Sequence, residues 1–336
     1  MQLNTLQNLR MQFKGGPRLL VTDREGAIYL ERARIKVEDG RIVYYIVDDE
    51  QRRKYNVPHV NLAVLFMGQG TSITQEAMRL LGDERVHVAV TGTGGTPLHM
   101  GSLTTYTATE HFRKMLPVYQ EPSLSLVAAK AVMVDRAGRM RSIGIKQTKK
   151  YLRSRDVSGI EAACGTLVSD LDRVGDIQQL LGIEGAFSKR CYREFAVLSG
   201  LSKTVEFRRQ TGEASKKKPK EPLELVNHLI DHGNYLAYGM AGAALWALGI
   251  PPQMSVFHGK TRAGGLVFDL ADSFKDAFVL PLAFASVIPS RETKPEKIFR
   301  ARMISAFDDH RVLKEAIDTV NRMVTPEVHT KASENA

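Results

Sequence analysis

Over the first hundred residues apolar and polar side chains alternate with the period of two expected of strands. Residues 26–36 (GAIYLERARIK) read as one strand; Asp39-Gly40 supplies a tight turn and RIVYYIV a return strand, a hairpin signal. HVNLAVLFM is almost wholly apolar and predicts a more buried strand. After GQG, Thr71 or Ser72 can cap a short helix over TQEAMRLLG, and VHVAVTG predicts a further strand. Beyond residue 103 the period lengthens. Segments near 103–117, 158–181, 184–198, 222–230, 232–249, 265–287, 294–307 and 310–324 carry apolar residues at three- and four-residue intervals and predict helices, with Asp308-Asp309 starting the last. The interval 205–221 is basic and poor in apolar residues, and reads as mobile. No internal repeat is present. The expected fold class is α+β, with a small β-rich domain over 1–100 and a larger all-α domain over 106–336; TGTGGTP ends the strand pattern between them.

Composition narrows the class. At 336 residues, 43% hydrophobic and 25% charged, the chain is an ordinary globular protein of about two domains, which excludes disorder throughout, collagen and disulfide-rich miniproteins. Two cysteines, Cys164 and Cys191, are too few for a disulfide framework or a four-cysteine zinc site, and fit a reducing, cytoplasmic compartment. The polar start MQLNTLQNLRMQFKGG has no signal-peptide core. Of the most apolar stretches, 239–250 is too short to span a bilayer and 276–289 is interrupted by Pro281, so no membrane span is expected.

Charge separates the halves. The chain carries 47 basic and 37 acidic side chains, a net of +10. Most of the excess lies after residue 105. It peaks in 136–155, RAGRMRSIGIKQTKKYLRSR, with eight basic residues and no acid; Arg208 to Lys220 forms a second cluster. Such a surplus suits a polyanionic partner through phosphate neutralisation, and suits equally a solvated surface.

The stretch most informative for chemistry is SVFHGKTRAGGLVFDLADSFKDAF (255–278). Asp269, Asp272 and Asp276 fall at i, i+3 and i+7 on one face of the predicted helix, and Asp269 sits between Phe268 and Leu270. His258 lies just before. Carboxylates plus one imidazole suit Mg²⁺ or Mn²⁺; the alternative is an acidic face turned to solvent and a structural histidine. His228 and His232 have the i, i+4 spacing of a zinc pair, but Leu229 stands where HExxH needs its glutamate, which favours a capping or core role. GQGTS and TGTGGTP lack the Walker and dinucleotide spacings and read as turns. Cys191 reads as core, and no GxSxG elbow supports a serine nucleophile.

With these blocks in view, the sequence resembles the CRISPR-associated integrases of spacer acquisition, the "Cas-one" family, over roughly residues 25–325. GIEGAFSKRCYREF resembles the family's glutamate motif and places Glu184 as first metal ligand. NYLAYGMAGAALWALGIPP followed by SVFHGK places His258 as the second, and GLVFDLADSFK places Asp272 as the third, with Asp269 adjacent. HVNLAVLFMGQGTSITQEAMRLL and VAVTGTGGTP resemble its β domain, and NYLAYG with HGKTRAGGLVFD is most like the subtype I-F branch. The third ligand is Asp where many members carry Glu. Neither 1–20 nor 205–221 matches a family motif.

The resemblance implies a homodimeric, Mg²⁺- or Mn²⁺-dependent DNA integrase that joins the 3′-hydroxyls of a duplex prespacer to a leader–repeat phosphodiester by transesterification. Its catalytic residues would be Glu184, His258, Asp272 and Asp269. The first three hold the cation, while Asp269 binds a second one or orients the ligands. Ligation needs a neutral imidazole, so activity should fall as His258 protonates. By motif position Tyr238, Lys260, Arg262 and Lys275 are DNA contacts, with an i, i+3 salt bridge to Asp272 as the alternative for Lys275 and a core role for Tyr238. The resemblance also implies the small "Cas-two" partner, in this branch fused to a helicase-nuclease. Two other classes use the same features: a metal-dependent nuclease or phosphoesterase acting with water on branched DNA, and a non-catalytic DNA-binding scaffold.

Overall fold

In the computed structural model the described residues are 26–47, 53–91, 98–100, 109–152, 154, 156–201, 207–210, 219, 221–259, 264–288 and 294–325. Strands come first. β1 (Gly26–Leu30), β5 (Leu62–Met67), β7 (His87–Val90) and β8 (Leu98–Met100) form one four-stranded sheet in the order β1-β5-β7-β8. β2 (Ala33–Glu38), β3 (Arg41–Ile46), β4 (Lys54–Asn56) and β6 (Ser72–Ile73) form the other, in the order β4-β3-β2-β6. The single strand expected over 26–36 is therefore two. Arg32, with φ +49° and its N–H donated to the carbonyl of Gln69 at 3.0 Å, turns the chain from one sheet into the other. The predicted hairpin forms between β2 and β3. Asp39 (φ +50°) and Gly40 (φ +71°) make the two-residue turn whose left-handed residues match strand twist.

β5 is buried along its whole length, as its unbroken apolar run requires. Ala63, Val64 and Phe66 join the helical core, whereas Leu62, Leu65 and Met67 pack between the sheets. The helix after it, α1 (Gln75–Asp83), is capped by Thr74, whose hydroxyl accepts from the N–H of Ala77 at 3.3 Å. Neither Thr71 nor Ser72 does this. The Thr71 hydroxyl donates to the Leu30 carbonyl, and Ser72 pairs with Arg34.

The remainder is helical: α2 (Glu110–Gln120), α3 (Pro122–Arg139), a π-turn (Met140–Gly144), α4 (Ile145–Tyr151), α5 (Ser158–Leu171), α6 (Ile177–Leu198), α7 (Pro222–Leu248), α8 (Gly265–Asp272), α9 (Lys275–Val287), α10 (Pro295–Asp309) and α11 (Val312–Val324). Helices α3 and α4 answer no predicted segment, because the basic residues of 136–155 hid their apolar stripe. The break expected after 181 falls instead at 172–176, where Asp176 caps α6 by accepting from the N–H of Gln179 at 2.8 Å. The two helices expected at 222–249 are one. Its interior Gly233 packs where an added Cβ would stand 2.8–2.9 Å from Phe299 and Val279. Asp308 and Asp309 end α10 rather than start α11, and the Asp308 carboxylate accepts from the N–H of Ala27 at 3.1 Å, tying β1 to α10.

α7 is the central post. A capping box of Glu221 and Glu224 starts it, left-handed Gly249 ends it, and Gly239 presses against the Phe66 ring of β5 so closely that no side chain fits. Part of the segment expected to be mobile is anchored to this helix. Phe207 is buried beside Tyr192 and Phe284, and Arg209 pairs with Asp231. Among the described residues no helix is long and apolar enough to cross a membrane.

Candidate active site

α8 carries the first part of the site. Left-handed Gly264 begins it, and the Leu266 N–H bonds the Pro252 carbonyl at 3.0 Å, which lays the SVFHG segment against its first turn. Asp269 on this turn is 0% exposed and spends both oxygens. Oδ2 accepts from the Ser255 hydroxyl (2.7 Å) and the N–H groups of Val256 (2.7 Å) and Phe257 (3.3 Å); Oδ1 accepts from the His258 N–H (3.1 Å) and bonds its Nδ1 (2.8 Å). With its lone pairs so engaged, Asp269 orients His258. A bond to a carboxylate needs a proton on Nδ1, as in a carboxylate-backed metal-ligating histidine.

One turn on, Asp272 is 2% exposed and bonded to the ammonium of Lys275. The helix ends here. The Ser273 hydroxyl donates to the Leu270 carbonyl, and Arg139 donates to that of Ser273. The expected continuous helix over 265–287 is thereby cut, and Asp276 belongs to α9. All three aspartates are buried, which removes the solvent-facing alternative.

Arg136 of α3 gathers the rest. It is 2% exposed; Nη1 donates to Glu184 Oε1 at 2.7 Å and lies 4.0 Å from Asp272, Nε donates to Asp276 at 2.8 Å, and Nη2 donates to the Ser188 hydroxyl at 2.8 Å. Ser188, one turn after Glu184 on α6, also donates to Glu184 at 3.0 Å, and the guanidinium rests over the Phe187 ring. Burial by itself would raise the Glu184 carboxyl, but Arg136 and Lys275 outweigh it and hold the group down at about 2. Lys275 goes the other way. Burial opposes its charge, and the contact with Asp272 prevails and raises its pKa.

The structure thus brings Glu184 and Asp272 to one guanidinium and holds His258 beside Asp269, a helical turn before Asp272. Among the described residues no three of His, Cys, Asp and Glu stand close enough to enclose an ion. The carboxylates face Arg136 and Lys275 instead. In donor chemistry the set fits Mg²⁺ or Mn²⁺: hard anionic oxygens plus an imidazole in the ligating tautomer. Tyr238 is 7% exposed, edge-on to Phe268 with the Lys275 ammonium 6.0 Å from its ring centre. For Lys275 itself the salt bridge is what forms. Lys260 and Arg262 lie outside the described residues.

Sequence reading missed Arg136, Ser188 and Ser255. Arg136 left a usable signal, since it continues the stripe Ala129, Val132, Met133 and Met140, all buried; a charge on an apolar stripe asks for a buried partner. Nor is 136–155 uniformly a phosphate-facing surface. Arg136 and Arg139 turn inward, Arg139 to Glu315 and Thr319, while Arg141, Lys146, Lys149 and Lys150 are exposed. His228 lines a cleft of about 1020 Å³ between β1 and α10. His232 has the core role, edge-on to Tyr29 and Phe299, and burial drives its pKa down to about 3. Cys164 and Cys191 are buried, free thiols.

Comparison with known proteins agrees with this architecture. A CRISPR-associated endonuclease Cas1 of Pseudomonas aeruginosa is 33% identical over 317 residues, spanning 90% of this chain and 93% of that one. A solved TtCas1–DNA complex superposes with a TM-score of 0.64 at 24% identity over 89% of this chain and 91% of its own. A casposase bound to integration product superposes with 0.65 at 14% identity over the same shares. The family description "CRISPR associated protein Cas1" matches residues 24–316. With the fold, the relative and that match in accord over nine-tenths of its length, the chain belongs to the CRISPR-associated Cas1 family.

Proposed function

We propose that this protein is a DNA integrase of CRISPR adaptation, acting by metal-dependent transesterification. The observation that carries the reading is the convergence of Glu184 and Asp272, from separate helices, on the one buried guanidinium of Arg136, with Asp269, a turn before Asp272, bonded to the His258 imidazole. Glu184, His258 Nε2 and Asp272 would hold the cation. When bound, a divalent cation polarises a phosphate oxygen and favours the alkoxide form of an attacking hydroxyl. In the reaction a prespacer 3′-oxygen bonds to the scissile phosphorus of the repeat, and the broken P–O bond leaves a new 3′-hydroxyl, so no hydrolysis is required. The chain's own part is positional. Asp269 orients the imidazole through Nδ1, and Arg136 and Ser188 fix the Glu184 carboxylate. Exposed Lys146, Lys149 and Lys150 offer phosphate contacts without base readout.

The casposase and TtCas1 complexes named above, with integration product and DNA, support DNA as substrate. Homodimerisation through the β-rich part over 1–100, with the helical part over 106–336 as the catalytic unit, belongs to the same proposal. So does a Cas2 partner fused to a helicase-nuclease. The I-F branch is supported by NYLAYG, HGKTRAGGLVFD and the Pseudomonas relative. Two unpaired thiols fit a reducing cytoplasm.

The test is strand transfer of a labelled duplex into a supercoiled leader–repeat plasmid with Mg²⁺ or Mn²⁺ and the Cas2 partner. Wild type should yield DNA branched at the repeat boundary, and Glu184→Ala and Asp272→Ala should abolish it. Free ends without branches would instead make the protein a nuclease. DNA binding with no metal-dependent product would make it a scaffold, and normal integration by either variant would refute the site.

A further inference from the structure

Asp272 is almost fully enclosed, and its charge is met from inside the chain by the ammonium of Lys275 on one oxygen and Arg136, 4.0 Å away, on the other. This is the carboxylate that the proposed function assigns to the divalent cation, and the inference rests on that reading. A second positive centre brought to the same buried oxygens meets like-charge repulsion little screened by solvent. One of the two resident cations has to withdraw.

The geometry distinguishes them. Arg136 is pinned by Asp276, Glu184 and Ser188 and stacked on Phe187, so its removal would strand two further carboxylates. Among the described residues Lys275 bonds one carboxylate, at the end of a flexible four-carbon stem. It stands at the first residue of α9, just past the Ser273–Phe274 break, so its side chain can swing without disturbing a helical hydrogen-bond ladder. Charge agrees. Three carboxylates, of Glu184, Asp272 and Asp276, face two permanent cations, a net of −1 that becomes −2 without Lys275. We propose that Lys275 is the site's internal counter-ion: it neutralises Asp272 in the cation-free protein, is displaced when Mg²⁺ or Mn²⁺ binds, and thereby sets cation affinity below what the bare ligands would give.

The experiment is titration of the full-length protein with Mn²⁺ at constant ionic strength, without DNA, following the EPR signal of free Mn²⁺. Lys275→Met should bind Mn²⁺ at least tenfold more tightly than wild type, while Lys275→Arg, which keeps the charge, should stay within a few-fold of it. Without metal, thermal unfolding of Lys275→Met should shift down, and saturating Mn²⁺ should restore it. Affinity of Lys275→Met equal to or weaker than wild type overturns the proposal. So does a variant that stays unfolded in saturating Mn²⁺, which would make Lys275 structural. Asp272→Asn separates the two layers of inference. If it binds Mn²⁺ as wild type does, the ligand assignment itself fails; if its affinity collapses while Lys275→Met matches wild type, the counter-ion role alone fails.

Discussion

Replacing Arg136 by methionine keeps the length and apolar bulk of the side chain and deletes the charge that buried Asp272 and Asp276 and half-buried Glu184 share. Glu184 is held at about 2 against the ordinary 4.5 for a glutamate, chiefly by Arg136 once burial is overcome. At 1.36 kcal/mol per unit that depression corresponds to about 3 kcal/mol. Removing one partner of a buried ion pair costs about 3–5 kcal/mol on general grounds, so the two routes agree. With an unfolding entropy near 2.1 cal/mol/K per residue, this chain has a ΔS of about 0.7 kcal/mol/K, and the loss lowers Tm by about 4–7 °C at pH 7. The pH dependence sharpens the test. A depressed carboxylate contributes stability that is complete above the unfolded value near 4.5 and disappears as pH falls from there towards 2. In Arg136→Met the Glu184 carboxylate loses its guanidinium partner at pH 7 and becomes tolerable once protonated, so the deficit should narrow as pH falls below about 5. Thermal unfolding of both proteins, followed by far-UV circular dichroism at pH 7 and pH 4, measures it. A Tm within 1 °C of wild type at pH 7, or a deficit unchanged at pH 4, would refute the reasoning.

Two further outcomes follow from the same geometry. Asp269→Asn turns one acceptor of the His258 cradle into a donor facing the Ser255 hydroxyl or backbone N–H groups, and Mn²⁺ affinity should fall about 10–100-fold; the EPR titration reads this, and unchanged affinity would show that the imidazole needs no such backing. Lys146, Lys149 and Lys150 lie exposed along one helix, so changing all three to Gln should lower the slope of log K against log salt for duplex DNA by about 2.7, at about 0.9 per phosphate contact, in fluorescence anisotropy. A slope equal to wild type would place the DNA elsewhere.

Helix and strand types were readable wherever one periodicity ran undisturbed. The wholly apolar run at 62–67 became a strand buried on both faces, and the Asp39-Gly40 turn formed because few other dipeptides tolerate two left-handed residues in a row. Reading failed where a single residue did something its neighbours did not foretell. Arg32 switches sheets, Gly233 lets one helix run through a presumed break, and Ser273 with Arg139 cuts another. The helix over 122–139 was missed because its inward-facing arginines look, in one dimension, like a surface.

What the amino-acid order determined alone was the α+β division and, through blocks that resemble it, the family; the same blocks are what single out Glu184, His258, Asp269 and Asp272 as the proposed set. These reside in local patterns and in blocks of residues that keep their meaning without coordinates. Only the tertiary structure decided how the charges are paired. Arg136 and Lys275 hold the acids, and Asp269 turns inward to fix an imidazole rather than standing as a further open ligand. The physical reason is that burying a charge is permitted only by the particular opposite charge that meets it. That meeting joins α3, α6, α8 and α9 across distances along the chain that no local period records.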